Sequence, residues 1–103
     1  MLDQKTVINY VNEYAKAVLN AFSPAAILLY GSYAKGTAHE DSDIDVAVIF
    51  DRFDGDRLKI SARLWGLTED VSSYIEPVLL DRSHDPSGFV DEIYKTGKLI
   101  YSA

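Results

Sequence analysis

The stretch GSYAKGTAHEDSDIDVAVIF, Gly31 to Phe50, decides how the chain is read. It opens on a glycine-serine pair, crosses a polar segment, and ends in a strand-like apolar run that carries two carboxylates, Asp43 and Asp45. Side chains alternate along a strand, so these two acids share one face while Ile44, Val46 and Val48 point to the other. Two like charges side by side in a half-buried position are costly unless a cation lies between them, and hard divalent ions such as Mg²⁺ take oxygen ligands of this kind.

Upstream, Gly31 falls where a strand must end. Together with the Ser32 hydroxyl it offers free backbone amides and a donor for phosphate oxygens, with Lys35 as a nearby positive charge. Ten residues separate Gly31-Ser32 from Asp43-Ile44-Asp45, enough for the chain to leave one strand and return along its neighbour. Transfer chemistry on two metal ions needs more ligands than one Asp pair supplies. Glu76, which interrupts the apolar run YIEPVLL on the face shared by Tyr74, Val78 and Leu80, is the candidate third acid.

Outward from this stretch, apolar residues at Val7, Val11, Tyr14, Ala15, Val18, Leu19 and Phe22 repeat as one face of a helix over Thr6–Phe22. Ser23-Pro24 ends it, and Ala26–Tyr30 follows as a buried strand. Ser32–Ser42 reads as a loop with one helical turn inside it, and Ile44–Phe50 as a second strand. Asp54-Gly55 signals a turn. A helix over Asp56–Asp70 follows, with Leu58, Ala62, Trp65 and either Leu64 or Leu67 facing the core. Tyr74–Leu80 is a third strand, placed at an edge or bulge by Pro77. Phe89, Val90, Ile93 and Tyr94 mark a helix over Pro86–Thr96 closed by Gly97, and Lys98-Leu99-Ile100-Tyr101 forms a short final strand. This pattern predicts one α/β (α+β) domain over residues 1–103, a small mixed sheet of three to four strands with helices packed on it.

The chain has 103 residues, no cysteine, and 16 acidic against 10 basic residues for a net charge of −6. Disulfides and thiolate metal sites are excluded, and a sequence-independent grip on nucleic acid is disfavoured. No apolar run approaches the roughly 20 residues of a membrane span, and the first residues lack a signal-peptide pattern, so the expected location is the cytoplasm. Gly31-x-x-x-x-Gly36 is not a P-loop, because Thr37 stands where lysine is required, and Asp51–Asp56 does not fit an EF-hand loop. His39 and His84 read as surface residues. Trp65 and the tyrosines read as core fillers, with Tyr33 alone in reach of a nucleotide.

Gly31-Ser32, the spacer ending in Ser42, the Asp43-x-Asp45 strand and Glu76 resemble the minimal nucleotidyltransferases of the DNA polymerase beta-like nucleotidyltransferase superfamily. The resemblance extends over nearly the whole chain. Glu76 stands where the family often has Asp, and Lys35 where many relatives carry Arg. The resemblance implies a nucleotidyltransferase fold and an enzyme that transfers AMP from ATP. Asp43, Asp45 and Glu76 would hold two Mg²⁺ ions, and Gly31, Ser32, Lys35 and Ser42 would bind nucleotide. It also implies a role as antitoxin of a HEPN-domain RNase toxin, with AMP placed on a toxin tyrosine. The alternatives are a non-catalytic antitoxin or nucleotide-binding module acting by complex formation and, further off, a small-molecule transferase of the aminoglycoside type, which the expected lack of an acceptor domain disfavours.

Overall fold

The computed structural model describes residues 2–53 and 55–103, so Asp54, half of the expected Asp54-Gly55 turn, lies outside the described residues. Helix α1 spans Gln4–Ala21. It starts two residues earlier than periodicity places it, because the Asp3 carboxylate accepts the Thr6 N–H at 2.7 Å and caps the first turn. Val7, Val11, Tyr14, Ala15 and Val18 form its buried face as expected, whereas Leu19 is 37% exposed.

The next elements are β1 (Ala26–Tyr30), α2 (Ser32–Lys35), β2 (Ile44–Phe50), α3 (Arg57–Gly66), β3 (Ile75–Asp81), α4 (Phe89–Thr96) and β4 (Lys98–Ser102). Their four strands form one mixed sheet in the order β3-β2-β1-β4. β1 is antiparallel to both β2 and β4, while β2 and β3 are parallel. A parallel pair cannot be closed by a hairpin, and α3 is the crossover that returns the chain to the starting end of the sheet.

Both faces of the sheet are covered. On one, Ile27, Leu29, Ile44, Val46, Val48, Ile75 and Leu79 pack with α1 and with Leu64 of α3. On the other, Ala26, Leu28, Ala47 and Ile49 pack with Val90 and Ile93 of α4. β2 is therefore buried along its length, with Asp45 its one partly open residue.

The structure corrects the reading of α3. The helix is shorter than Asp56–Asp70: Asp56 is its cap, accepting from Leu58 N at 2.8 Å, and the Thr68 hydroxyl closes on Trp65 O at 2.7 Å. Three residues expected to face the core lie on the outer face, with Leu58 80% and Trp65 45% exposed and Ala62 in solvent, while Leu64 is buried as expected and Ile60 and Leu67 are half-buried. The spacings 58-62-65 and 60-64-67 are equally helical, so periodicity alone cannot choose between them. Contacts distant in sequence choose: the Tyr14 hydroxyl donates to Leu64 O at 2.7 Å, and the Arg57 guanidinium donates to Leu79 O at 2.7 Å.

β3 is an edge strand, as Pro77 predicts, and its register with β2 runs unbroken from Ile75 to Asp81. Proline offers that edge no donor and Arg57 occupies the Leu79 carbonyl, both of which discourage pairing with another chain. α4 begins at Phe89 rather than Pro86, because the Asp85 carboxylate accepts the Val90 and Asp91 amides. Val90 and Ile93 are buried, whereas Phe89 and Tyr94 are each 39% exposed. Gly97 ends α4 with ordinary φ; it is glycine because a Cβ there would come within 2.6 Å of Ile93 O and 2.9 Å of Leu29 O.

The orientation of α3 gives a direct prediction. Leu64→Ala lowers unfolding free energy by about 2–4 kcal/mol in urea denaturation, and Leu58→Ala changes it by less than about 0.5 kcal/mol. The reverse ranking would mean that the helix packs on its other face.

Candidate active site

The register of the sheet sets three polar side chains in one row. Tyr30 of β1 lies opposite Asp45 of β2, and Asp45 lies opposite Glu76 of β3. All three project on the α4 side, where Tyr30 packs against the apolar patch with its ring edge-to-face on Phe89 of α4 at 5.8 Å. Asp43 precedes β2 and is delivered by a small closed turn, in which Ser42 N donates to His39 O at 2.9 Å and His39 N donates to Ser42 Oγ at 2.8 Å. The Ile44 amide, between the two aspartates, donates to Tyr74 O at 2.8 Å and fixes this junction against the start of β3. The acids singled out in the sequence, Asp43, Asp45 and Glu76, thus meet at one end of the parallel pair.

Their electrostatics reflect the crowding. Asp45 is pushed above the usual carboxylate range, first by burial and then by the charge of Asp43. Glu76 is raised by desolvation, by a hydrogen bond with Asp43, and by the charges of Asp43 and Asp45. Tyr30 is pushed up to about 12 by burial and by Asp45 and Glu76, so its phenol stays neutral beside them. An all-oxygen donor set that repels itself in this way suits a hard divalent cation. Among the described residues, however, no group of three or more Asp, Glu, His or Cys side chains is gathered as a finished ligand shell. The acids share a rim without converging on one point.

Gly31 is fixed by contact with this row. It caps α2 at φ 72, a left-handed conformation, and an added Cβ would overlap Asp45 Oδ2 and come within 3.1 Å of its Cγ. The residue therefore combines a turn that favours glycine with a close approach that demands it. Ser32 opens α2, whose first amides have no acceptor within the helix, since the earliest internal bond is Lys35 N to Gly31 O at 3.1 Å. Lys35 is exposed at the far end of α2 and forms no ion pair among the described residues. Ser42 is buried with its hydroxyl engaged by the His39 amide, which gives it a structural task.

Other expectations need correcting. Tyr33 is buried, with its hydroxyl accepting the Leu2 N–H at 3.3 Å, so it belongs to the core and not to a nucleotide contact. Trp65 is exposed instead of filling the core, whereas His39 and His84 are surface residues as expected. Tyr30 is the site residue that sequence reasoning missed. As the last residue of an apolar strand it looked like core, and only the register of β1 on β2 places it against Asp45. A cavity of about 190 Å³ beside Leu2, Tyr33 and Ala38 and a cleft of about 300 Å³ beside Leu80 and Phe89 include none of the three acids in their linings.

Two stability predictions follow from this geometry. Gly31→Ala costs about 1–3 kcal/mol in denaturant unfolding, from strain at positive φ and from displacement of the Asp45 carboxylate. For the acids, a folded-state pKa above the unfolded value means that the folded protein binds more protons in the window between the two. The stability contributed there falls as pH rises through that window. In EDTA, Asp45→Asn therefore melts about 2–4 °C above wild type at pH 7, a small gain because solvent screens a half-exposed site. The difference vanishes at pH values below both pKa values. A variant that melts lower at pH 7 would contradict the repulsion.

A polymerase beta nucleotidyltransferase domain model matches residues 9–103. Among curated proteins, a Methanocaldococcus jannaschii protein named as a candidate protein adenylyltransferase is 40% identical over 50 residues, covering 47% of this chain and 34% of its own length. The chain thus spans about a third of that relative. Among solved structures, a candidate nucleotidyltransferase from Sulfolobus solfataricus aligns with a TM-score of 0.68 at 21% identity, covering 96% of this chain and 83% of that one. A toxin-antitoxin complex with AMP-PNP aligns with a TM-score of 0.60 at 22% identity, covering 99% and 75%. The toxin-antitoxin MntA-HpeT, as a Y104A mutant, aligns with a TM-score of 0.63 at 23% identity, covering 100% and 75%. At these identities the solved structures establish the fold, and the family match, over nearly the entire chain, establishes that it belongs to the polymerase beta nucleotidyltransferases.

Proposed function

We propose that the chain is a Mg²⁺-dependent protein adenylyltransferase that transfers AMP from ATP to a hydroxyl of a partner protein. The observation that carries this reading is the acid row itself: Asp45 and Glu76 in register, Asp43 beside them, and Gly31 shaped to fit against Asp45. The name of the curated relative supports a protein acceptor, and the toxin-antitoxin neighbours support a partner toxin. The reading takes that partner to be a HEPN-type RNase, its acceptor to be a tyrosine, and the reaction to be cytoplasmic.

Asp43, Asp45 and Glu76 would hold two Mg²⁺ ions, whose chemistry is to neutralise the triphosphate and polarise the reacting oxygens. The remaining work falls to the chain's own groups. The free amides at Gly31-Ser32 hold phosphate oxygens, and Lys35 adds a flexible point charge rather than a bidentate fork. The acceptor oxygen bonds to the α-phosphorus as the bond to the β-phosphate oxygen breaks and pyrophosphate leaves. The hydroxyl proton passes to a carboxylate of the acid rim, of which Asp43 and Glu76 are the exposed members. Positioning and charge neutralisation lower the barrier, with no covalent enzyme intermediate.

A second reading has its own support. Solved neighbours that are toxin-antitoxin complexes support an antitoxin that silences its partner by covering it, with the acids only holding metal or nucleotide. Incubation with α-labelled ATP, Mg²⁺ and the product of the neighbouring gene separates the two. The adenylyltransferase reading expects label on the partner, falling at least about 100-fold with Asp43→Ala plus Asp45→Ala. Equal neutralisation of the RNase by both proteins, without label, would favour the binding reading.

A further inference from the structure

Tyr30 carries a hydroxyl that its packing does not use. Its ring meets Phe89 edge-to-face at 5.8 Å, and Asp85 fixes that first turn of α4 by accepting Val90 N at 3.0 Å and Asp91 N at 3.2 Å. The contact needs an aromatic ring, which phenylalanine would supply as well. Elsewhere the fold spends its tyrosine hydroxyls: Tyr14 donates to Leu64 O, Tyr33 accepts from Leu2 N, and Tyr94 accepts from Arg82. The Tyr30 hydroxyl has no such partner among the described residues. Tyr30 is half-buried as a whole, yet no buried side-chain oxygen among the described residues lacks a partner, so its hydroxyl reaches solvent.

The place of this hydroxyl limits what it can meet. Tyr30, Asp45 and Glu76 stand in that order across β1, β2 and β3 and project from one face of the sheet. A phenol is neutral at pH 7 and can donate, whereas ionised carboxylates offer acceptors alone. A tyrosine also reaches farther from its strand than an aspartate does. Tyr30 therefore brings a donor to the rim above Asp45, bonded to neither acid of its row among the described residues.

A phosphate oxygen suits that donor best. Three carboxylates repel an anion, so a phosphate arriving there needs cations and neutral donors to receive it. Tyr30 directly precedes Gly31-Ser32, whose backbone amides are free, and Glu76 lies on the other side of Asp45, on the edge strand. Tyr30 and the Gly31-Ser32 turn thus form one flank of the row. We propose that Tyr30 is a nucleotide-binding residue, whose hydroxyl donates to a phosphate oxygen of ATP beside the Gly31-Ser32 amides. This rests on the nucleotidyl-transfer reading above.

The test uses the full chain with Mg²⁺ and two probes, a non-hydrolysable ATP analogue and inorganic tripolyphosphate. Their affinities are measured by calorimetry for wild type and Tyr30→Phe. The variant keeps the ring and its contact with Phe89, so its melting temperature stays within about 2 °C of wild type. Affinity for the ATP analogue falls about tenfold, as expected for losing one hydrogen bond to a charged group, and affinity for tripolyphosphate falls by a similar factor. Unchanged affinity for the analogue in Tyr30→Phe would overturn the proposal. So would a loss confined to the analogue, since the hydroxyl would then contact the nucleoside. If both probes depend on Tyr30 but no label from α-labelled ATP reaches the product of the neighbouring gene, the phosphate contact stands and the protein-transferase reading falls. Wild type binding neither probe would overturn both.

Discussion

Asp45 occupies a position in β2 where every neighbour along the strand is buried, and the residue facing its carboxylate has no side chain. Much of the molecule is arranged around that contact. Gly31 must be glycine for the carboxylate to fit, and its left-handed turn starts α2 directly after β1. The same turn sends the chain through the His39–Ser42 closure and back along β2, which returns Asp43 and Asp45 to the end of β1 from which it left.

The parallel pairing of β2 and β3 completes the arrangement. A hairpin return would have placed the end of β3 beside the start of β2, whereas the α3 crossover brings the two starts together and lines Glu76 up with Asp45. Three acids then crowd one rim, and the folded chain carries repulsion that a well-packed strand would avoid. Stability given up at one place and tolerated because the rest of the fold exceeds it is the usual mark of a functional site.

The strands, their order along the chain and the acid motif were legible in the sequence because each rests on short-range patterns: alternation along Ile44–Phe50, the breaks at Pro24 and Gly31, and proline on an edge strand. What required distant contacts was less visible. The rotation of α3 depends on Tyr14 and Leu79, 50 and 22 residues from their partners Leu64 and Arg57. The role of Tyr30 depends on register between strands, and local sequence does not specify it. The ends of α1 and α4 follow from the side-chain caps at Asp3 and Asp85, which act just before the periodic residues begin. The candidate residues divide in the same way: Asp43, Asp45, Glu76 and Gly31 lie together at one end of the sheet, while the Ser42 hydroxyl is engaged in the turn that carries Asp43.

The central claim is that this rim is where a divalent ion and nucleotide meet the chain. Paramagnetic broadening tests it most directly: amide spectra of the labelled protein are recorded with Mn²⁺ and a non-hydrolysable ATP analogue. The account predicts selective loss of the Gly31, Ser32, Asp43, Ile44, Asp45 and Glu76 signals, and recovery of those signals in Asp45→Asn. Broadening confined to the acidic segment Asp51–Asp56, or broadening at the rim that survives in Asp45→Asn, would contradict it.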